Sequence, residues 1–199
     1  MQEIINESLT RSFSYNEYRE VITKSLEGKK AEGTPAEDMV HYTLLNETRM
    51  NRLEKTIRLT DEVKSALNNL KRPLTWLVLS EGWCGDAAQI LPILYKMAEA
   101  SVNIEMRVVF RDENEPLMDL FLTNGSKSIP KLLVLDPETN RVIADWGPRP
   151  KGASDLIKRY KAEFGSINEE AKNQLQLWYL HDKGESTQRE IMDLMKQIG

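Results

Sequence analysis

The chain of 199 residues holds one cysteine, Cys84, set in the run Trp83-Cys84-Gly85-Asp86. A thiol attacks as its thiolate, so any chemistry at Cys84 is decided by what surrounds the sulfur. A nearly continuous apolar run, Leu74–Leu79, precedes the motif, and a stretch rich in helix formers, Asp86–Ala100, follows it. Cys84 therefore falls where a buried strand ends and a helix begins. Free N–H groups and the helix dipole favour an anion at such a corner, which predicts an accessible thiol of modestly lowered pKa. Gly85 leaves room beside the sulfur. Asp86 opposes a second negative charge, and its plainer role is to favour the helix N-terminus. The plainer reading of a lone cysteine is a buried, inert small hydrophobe.

Few other chemistries are open to the chain. One cysteine excludes an intramolecular disulfide and a Cys-rich zinc site. Two histidines, His41 and His181, argue against a His-rich metal site. No phosphate loop, dinucleotide fingerprint or metal-ligand spacing occurs, so no cofactor and no metal are expected. The stiff turn Trp146-Gly147-Pro148-Arg149-Pro150 offers Arg149, whose guanidinium suits a carboxylate or other anion near Cys84; its plainer role is a structural or solvated arginine. Trp83 either frames the sulfur or packs beside the sheet. Arg49, Arg52, Lys55 and Arg58 recur every three residues and read as a solvated face partly balanced by Glu47 and Glu54, with an anion-binding stripe as the alternative.

Charge and hydropathy narrow the partners. With 27 basic and 31 acidic residues the formal charge is −4, which argues against nucleic-acid binding by bulk electrostatics. No apolar run approaches the ~18 residues of a membrane span. The N-terminus MQEIINESLTRS lacks a basic region followed by an apolar core, so no signal peptide is read there and a cytoplasmic location is expected.

The elements that must position Cys84 follow from periodicity and capping. Ser14 and Glu17 have capping-box spacing, with Phe13 and Tyr18 as the hydrophobic staple, and predict a helix over Tyr15–Leu26 stopped by Gly28. Thr34-Pro35-Ala36-Glu37 is a second start signal, for a helix reaching Arg58. Thr60 caps a third, in which Val63, Leu67 and Leu70 share a face. Strands are predicted at Leu74–Leu79, Ile104–Phe110, Lys131–Leu135 and Arg141–Trp146, the last two joined by a turn at Pro137–Asn140. Helices are expected at Asp86–Ala100 with a kink at Pro92, at Glu115–Leu122, Ala153–Phe164, Asn168–His181 and Thr187–Gln197. The class is α/β: a central mixed sheet with helices on both faces and helical extensions at each end. The expected division is 1–72, 73–165 and 166–199, packed as one compact unit.

Over roughly Leu74–Phe164 the sequence resembles the thioredoxin family. The resemblance rests on Trp83-Cys84-Gly85 and on Ile90, Pro92, Ile93 and Leu94 in the next helix, Pro92 standing eight residues after the cysteine. It continues through Arg111-Asp112-Glu113-Asn114, the segment Ser128-Ile129-Pro130-Lys131-Leu132-Leu133, and Gly147. The resemblance implies a thioredoxin-like fold, a cis bond before Pro130 beside the thiol, and an Ile129 backbone that pairs with a substrate peptide. It also exposes departures. Ala87 stands at the family's resolving cysteine, Val78 at its buried aspartate, and Val108 at the lysine often paired with that aspartate. The dithiol machinery is missing as a set, so a mixed disulfide formed at Cys84 has no internal thiol to resolve it.

Two functions fit. In the first, Cys84 forms mixed disulfides or exchanges disulfides with a protein or a low-molecular-weight thiol, and an external thiol completes the reaction. In the second, the chain is a redox-inactive binding or adaptor module. Cys84 is the catalytic candidate; Trp83, Gly85, Asp86, Ile129, Pro130 and Arg149 are the binding candidates. An open, acidic thiol favours the first reading and a buried neutral one the second. The sequence does not set the oligomeric state.

Overall fold

The computed structural model describes residues 1–27 and 35–198. Its elements run α1 (Gln2–Thr10), β1 (Phe13–Ser14), α2 (Tyr15–Leu26), α3 (Pro35–Thr56), α4 (Asp61–Asn68), β2 (Leu74–Ser80), α5 (Gly85–Glu99), β3 (Ile104–Phe110), α6 (Glu115–Leu120), β4 (Lys131–Leu135), β5 (Val142–Trp146), α7 (Lys151–Phe164), α8 (Glu169–Asp182) and α9 (Glu185–Ile198). The expected stop at Gly28 and the start signal at Thr34 lie outside the described residues.

The five-stranded mixed sheet has the order β1-β3-β2-β4-β5. Strand β2 lies at its centre, parallel to β3 and antiparallel to β4, and every one of its residues is buried. That burial on both faces is why its sequence is apolar without alternation. Strand β5 pairs antiparallel with β4 at one edge and alternates half-buried with exposed positions. The other edge is β1, two residues long, which the sequence analysis did not anticipate: Phe13 and Ser14 pair with Val108 and Arg107 of β3. Phe13 thus serves the sheet, its ring edge-on to Phe110 at 5.6 Å, whereas the sequence assigned it to the staple of α2. Ser14 keeps its capping role, accepting from the Glu17 N–H at 3.3 Å while Glu17 accepts from the Ser14 N–H at 2.7 Å. Helix α1 falls within the helical extension expected over 1–72, but its own bounds were not anticipated; Ile5 is its one fully buried apolar side chain, too few for a recognisable period.

One continuous core runs from Ile5 and Tyr18 through Trp76, Leu77 and Leu94 to Ile191 and Met195. Terminal helices therefore bury side chains against the same interior as the sheet. Helix α9 reaches back to the N-terminal part through Gln188, which accepts from the Thr60 N–H at 3.1 Å and donates to Arg58 O at 3.2 Å. Among the described residues no helix is long and apolar enough to cross a membrane.

Candidate functional site

Cys84 is the N-cap of α5, as the strand-to-helix corner requires, with an extended backbone and with Sγ accepting from the Ala87 N–H at 3.5 Å. The thiol donates to the carbonyl oxygen of Ile129 at 3.4 Å. Ile129 precedes Pro130, and that peptide bond is cis, as is Gly147–Pro148. A cleft of about 300 Å³ opens here, lined by Trp83, Cys84, Gly85, Asp86, Ile129 and Arg149 from the candidate set. Arg111, Lys127, Ser128 and Pro148 complete the wall. Pro130 is buried behind it.

The sulfur is far less open than the sequence led us to expect. Cys84 is 8% exposed, and its pKa is pushed up to about 12, chiefly by burial and next by the charge of Asp86. Hydrogen bonds from the Ala87 and Asp86 N–H groups and the positive Arg149 act the other way and do not prevail. The expectation of an accessible, modestly acidic thiol is therefore corrected. A helix terminus contributes ~0.3–1 kcal/mol at exposed positions, and desolvating a thiolate outweighs that when the sulfur is enclosed.

Asp86 explains much of the local electrostatics. It is buried, with Oδ1 accepting from the Tyr179 hydroxyl at 2.8 Å and Oδ2 paired with Arg149 Nη2 at 2.6 Å. Asp86 is thus the anchor of a triad joining α5, the turn after β5, and α8. Arg149 was read as a guanidinium for a carboxylate near Cys84; the carboxylate it finds is Asp86 of its own chain. Its Nε is buried with no partner among the described residues. Tyr179 was missed because nothing local in the sequence marks a contact 93 positions away.

Trp83 packs under the Arg111 guanidinium, 4.9 Å from the ring centroid, an arrangement that favours both. Arg111 also pairs with Asp112 at 2.6 Å and donates to Lys127 O at 3.3 Å, tying the loop after β3 to the loop before Pro130. Lys127 pairs with Asp119 at 3.0 Å and Glu115 at 3.5 Å. The three basic side chains around this cleft thus each have an acidic partner in the chain.

On the far side of Trp83 lies Glu81, which the sequence analysis also missed, although an acid directly after a wholly buried strand was a visible signal. It lines a second cleft of about 240 Å³ with Ile22, Thr43, Gly82 and Asp112. Its carboxylate accepts from the Asp112 N–H at 2.9 Å, yet burial raises its pKa to about 7 from the ordinary carboxylate range. Between the unfolded value, ~4.3, and 7 the folded chain holds this proton more often than the unfolded chain does. Stability from this group is complete at lower pH and falls as pH rises through that window. Glu81→Gln keeps the acceptor and removes the titration. Its melting temperature minus that of the native chain, followed by circular dichroism, is expected to grow from pH 5 to pH 8; a constant difference contradicts the assignment.

This chain belongs to the thioredoxin family, whose profile matches residues 33–162. The five-stranded mixed sheet with its flanking helices is the thioredoxin-like fold. A solved protein of unknown function from Pseudomonas aeruginosa shares the fold with a TM-score of 0.61 at 17% identity, covering 84% of this chain and 100% of its own. An HIV epitope-scaffold aligns at a TM-score of 0.49 and 21% identity over 85% of this chain and 98% of its own. No curated protein matches.

Proposed function

We propose that the chain is a binding module on a thioredoxin-like fold, in which Cys84 is held as a neutral, enclosed thiol. One observation carries this reading: the only cysteine of the sequence is buried, with its pKa pushed up to about 12. At pH 7 that places the thiolate fraction roughly three-thousandfold below that of a cysteine with the ordinary value of ~8.5. Asp86 reinforces the state and also neutralises Arg149. Ala87 adds no second thiol. The cleft beside Cys84 keeps its wall of Trp83, Ile129 and Arg149 as a contact surface.

A second reading, monothiol exchange with an external resolving thiol, is favoured by the position of Cys84 as the N-cap of α5 across from Ile129. In that reaction the thiolate attacks a disulfide, one sulfur leaves as a thiolate, and an added thiol later releases Cys84. The two readings separate on incubation of the folded protein with oxidised glutathione, followed by intact mass. The module reading expects no glutathione adduct at pH 7 until the chain is unfolded. A rapid adduct on the folded protein, released again by reduced glutathione, replaces it with the exchange reading.

A further inference from the structure

The basic residues of α3 do not have the counter-charges that the sequence assigned to them. Glu47 and Glu54 face α2: Glu47 accepts from Arg19 at 3.4 Å, and Glu54 pairs with Arg19 and accepts from the Tyr15 hydroxyl at 2.6 Å. Arg49 and Arg52 turn instead toward α8. Neither has a carboxylate within salt-bridge distance among the described residues. Arg49 is half-buried, donates to Asn46 Oδ1 at 2.9 Å, and is disfavoured as a cation by burial and by the neighbouring Arg52.

Between α3 and α8 these two guanidinium groups line a groove of about 530 Å³. Its other walls are Gln89, Asn173, Gln176, Leu177 and Leu180, and no acid among the described residues lines it. The amide of Gln89 donates to Gln176 Oε1 at 2.8 Å, which fixes Gln176 with its own N–H₂ available. Leu177 and Leu180 are 45% and 49% exposed, high for leucines on a helix that packs against the core. The groove adjoins the Cys84 motif: a Cβ at Gly85 would stand 3.5 Å from Gln176 Nε2 and 3.7 Å from Arg49 Nη1.

We propose that this groove docks an extended acidic segment of a partner protein in which carboxylates are interleaved with aliphatic side chains. The unmatched Arg49 and Arg52 take the carboxylates, for which the guanidinium fork is geometrically suited. Leu177 and Leu180 take the aliphatic side chains, and the amides of Asn173 and Gln176 serve the backbone. The exposed Leu177 and Leu180 disfavour a phosphate polyanion here, which has no aliphatic groups to cover them. Recognition at this groove does not depend on whether Cys84 reacts.

The probe is a fluorescein-labelled peptide alternating glutamate with leucine, followed by fluorescence anisotropy at low salt and at 0.15 M salt. The native protein is expected to bind it, more weakly at the higher salt, and to ignore the same peptide with lysine for glutamate. Arg49→Glu with Arg52→Glu is expected to weaken binding by about tenfold or more. Leu177→Glu with Leu180→Glu, both at exposed positions, is expected to do the same and guards against a folding defect in the first pair. Lys24→Glu, on α2, leaves binding unchanged. Absence of binding by the native protein, equal affinity in either double variant that retains the native circular dichroism, or equal binding of the lysine peptide, overturns the proposal. The assay involves no thiol chemistry, so its failure is distinct from failure of the Cys84 reading.

Discussion

Asp86→Asn is expected to speed alkylation of folded Cys84 by about tenfold or more, because two effects act in one direction. The carboxylate is the second cause, after burial, that holds the thiol pKa up, and the amide removes it. Arg149, whose charge Asp86 neutralises at 2.6 Å, is then left facing the sulfur as an uncompensated cation. One pKa unit is a tenfold change in thiolate fraction. The amide still accepts from Tyr179, so the geometry is kept while the charge is lost. The same change destabilises the fold: removing one partner of a buried pair costs ~3–5 kcal/mol, and less where a partner reaches solvent, as the 24%-exposed Arg149 side chain does. A loss of about 2–3 kcal/mol lowers the melting temperature by roughly 4–12 °C in a chain of this size. Iodoacetamide rates at pH 8 and thermal unfolding measure both effects. An unchanged rate in a folded Asp86→Asn protein contradicts the electrostatic role given to Asp86.

Gly147→Ala is expected to be among the most damaging single methyl additions in the molecule. Gly147 has φ +121°, where side-chained residues are strained, and its Cβ would stand 2.3 Å from the Pro130 carbonyl oxygen. That oxygen is backbone and borders paired strands, since Leu132 is in register with Trp146 one residue before Gly147. Neither side yields without moving the loops that carry Ile129 and Arg149. Backbone strain of ~1–3 kcal/mol and overpacking of a similar size combine to about 3 kcal/mol or more. A fall in melting temperature of roughly 6–12 °C follows. Gly125→Ala is the control: it also has positive φ, 75°, but none of the described residues lies within 4 Å of its Cβ, so the strain acts alone and the fall is smaller. Equal melting temperatures for the two variants contradict this account of the turn.

The sheet domain was legible because its strands are of two readable kinds. Strand β2, buried throughout, is an apolar run, and β3 and β4 carry enough branched and aliphatic residues to show beside their turns. The corner at Cys84 was legible for the same reason, since a buried run followed by helix formers fixes where the chain turns. Strand β1 was not, because two residues leave no period and their partners lie in β3. The state of the thiol was hidden as well: enclosure comes from Ile129, 45 positions away, and the charge balance from Arg149 and Tyr179. Glu47 and Glu54 illustrate the same limit. In sequence they sit among the arginines of α3, yet helical geometry turns them toward Arg19 and leaves Arg49 and Arg52 on the opposite side.

The central claim, that folded Cys84 is a neutral and enclosed thiol, is tested most directly by its iodoacetamide alkylation rate as a function of pH, native against unfolded. The account predicts that the unfolded chain titrates near the ordinary cysteine value of ~8.5. The folded chain should react slowly, with a rate still rising at pH 10 and no plateau, in line with a pKa pushed up to about 12. A folded-state rate that levels off at or below pH 8.5, at a value comparable to the unfolded chain, would contradict it and make Cys84 an open, reactive thiol.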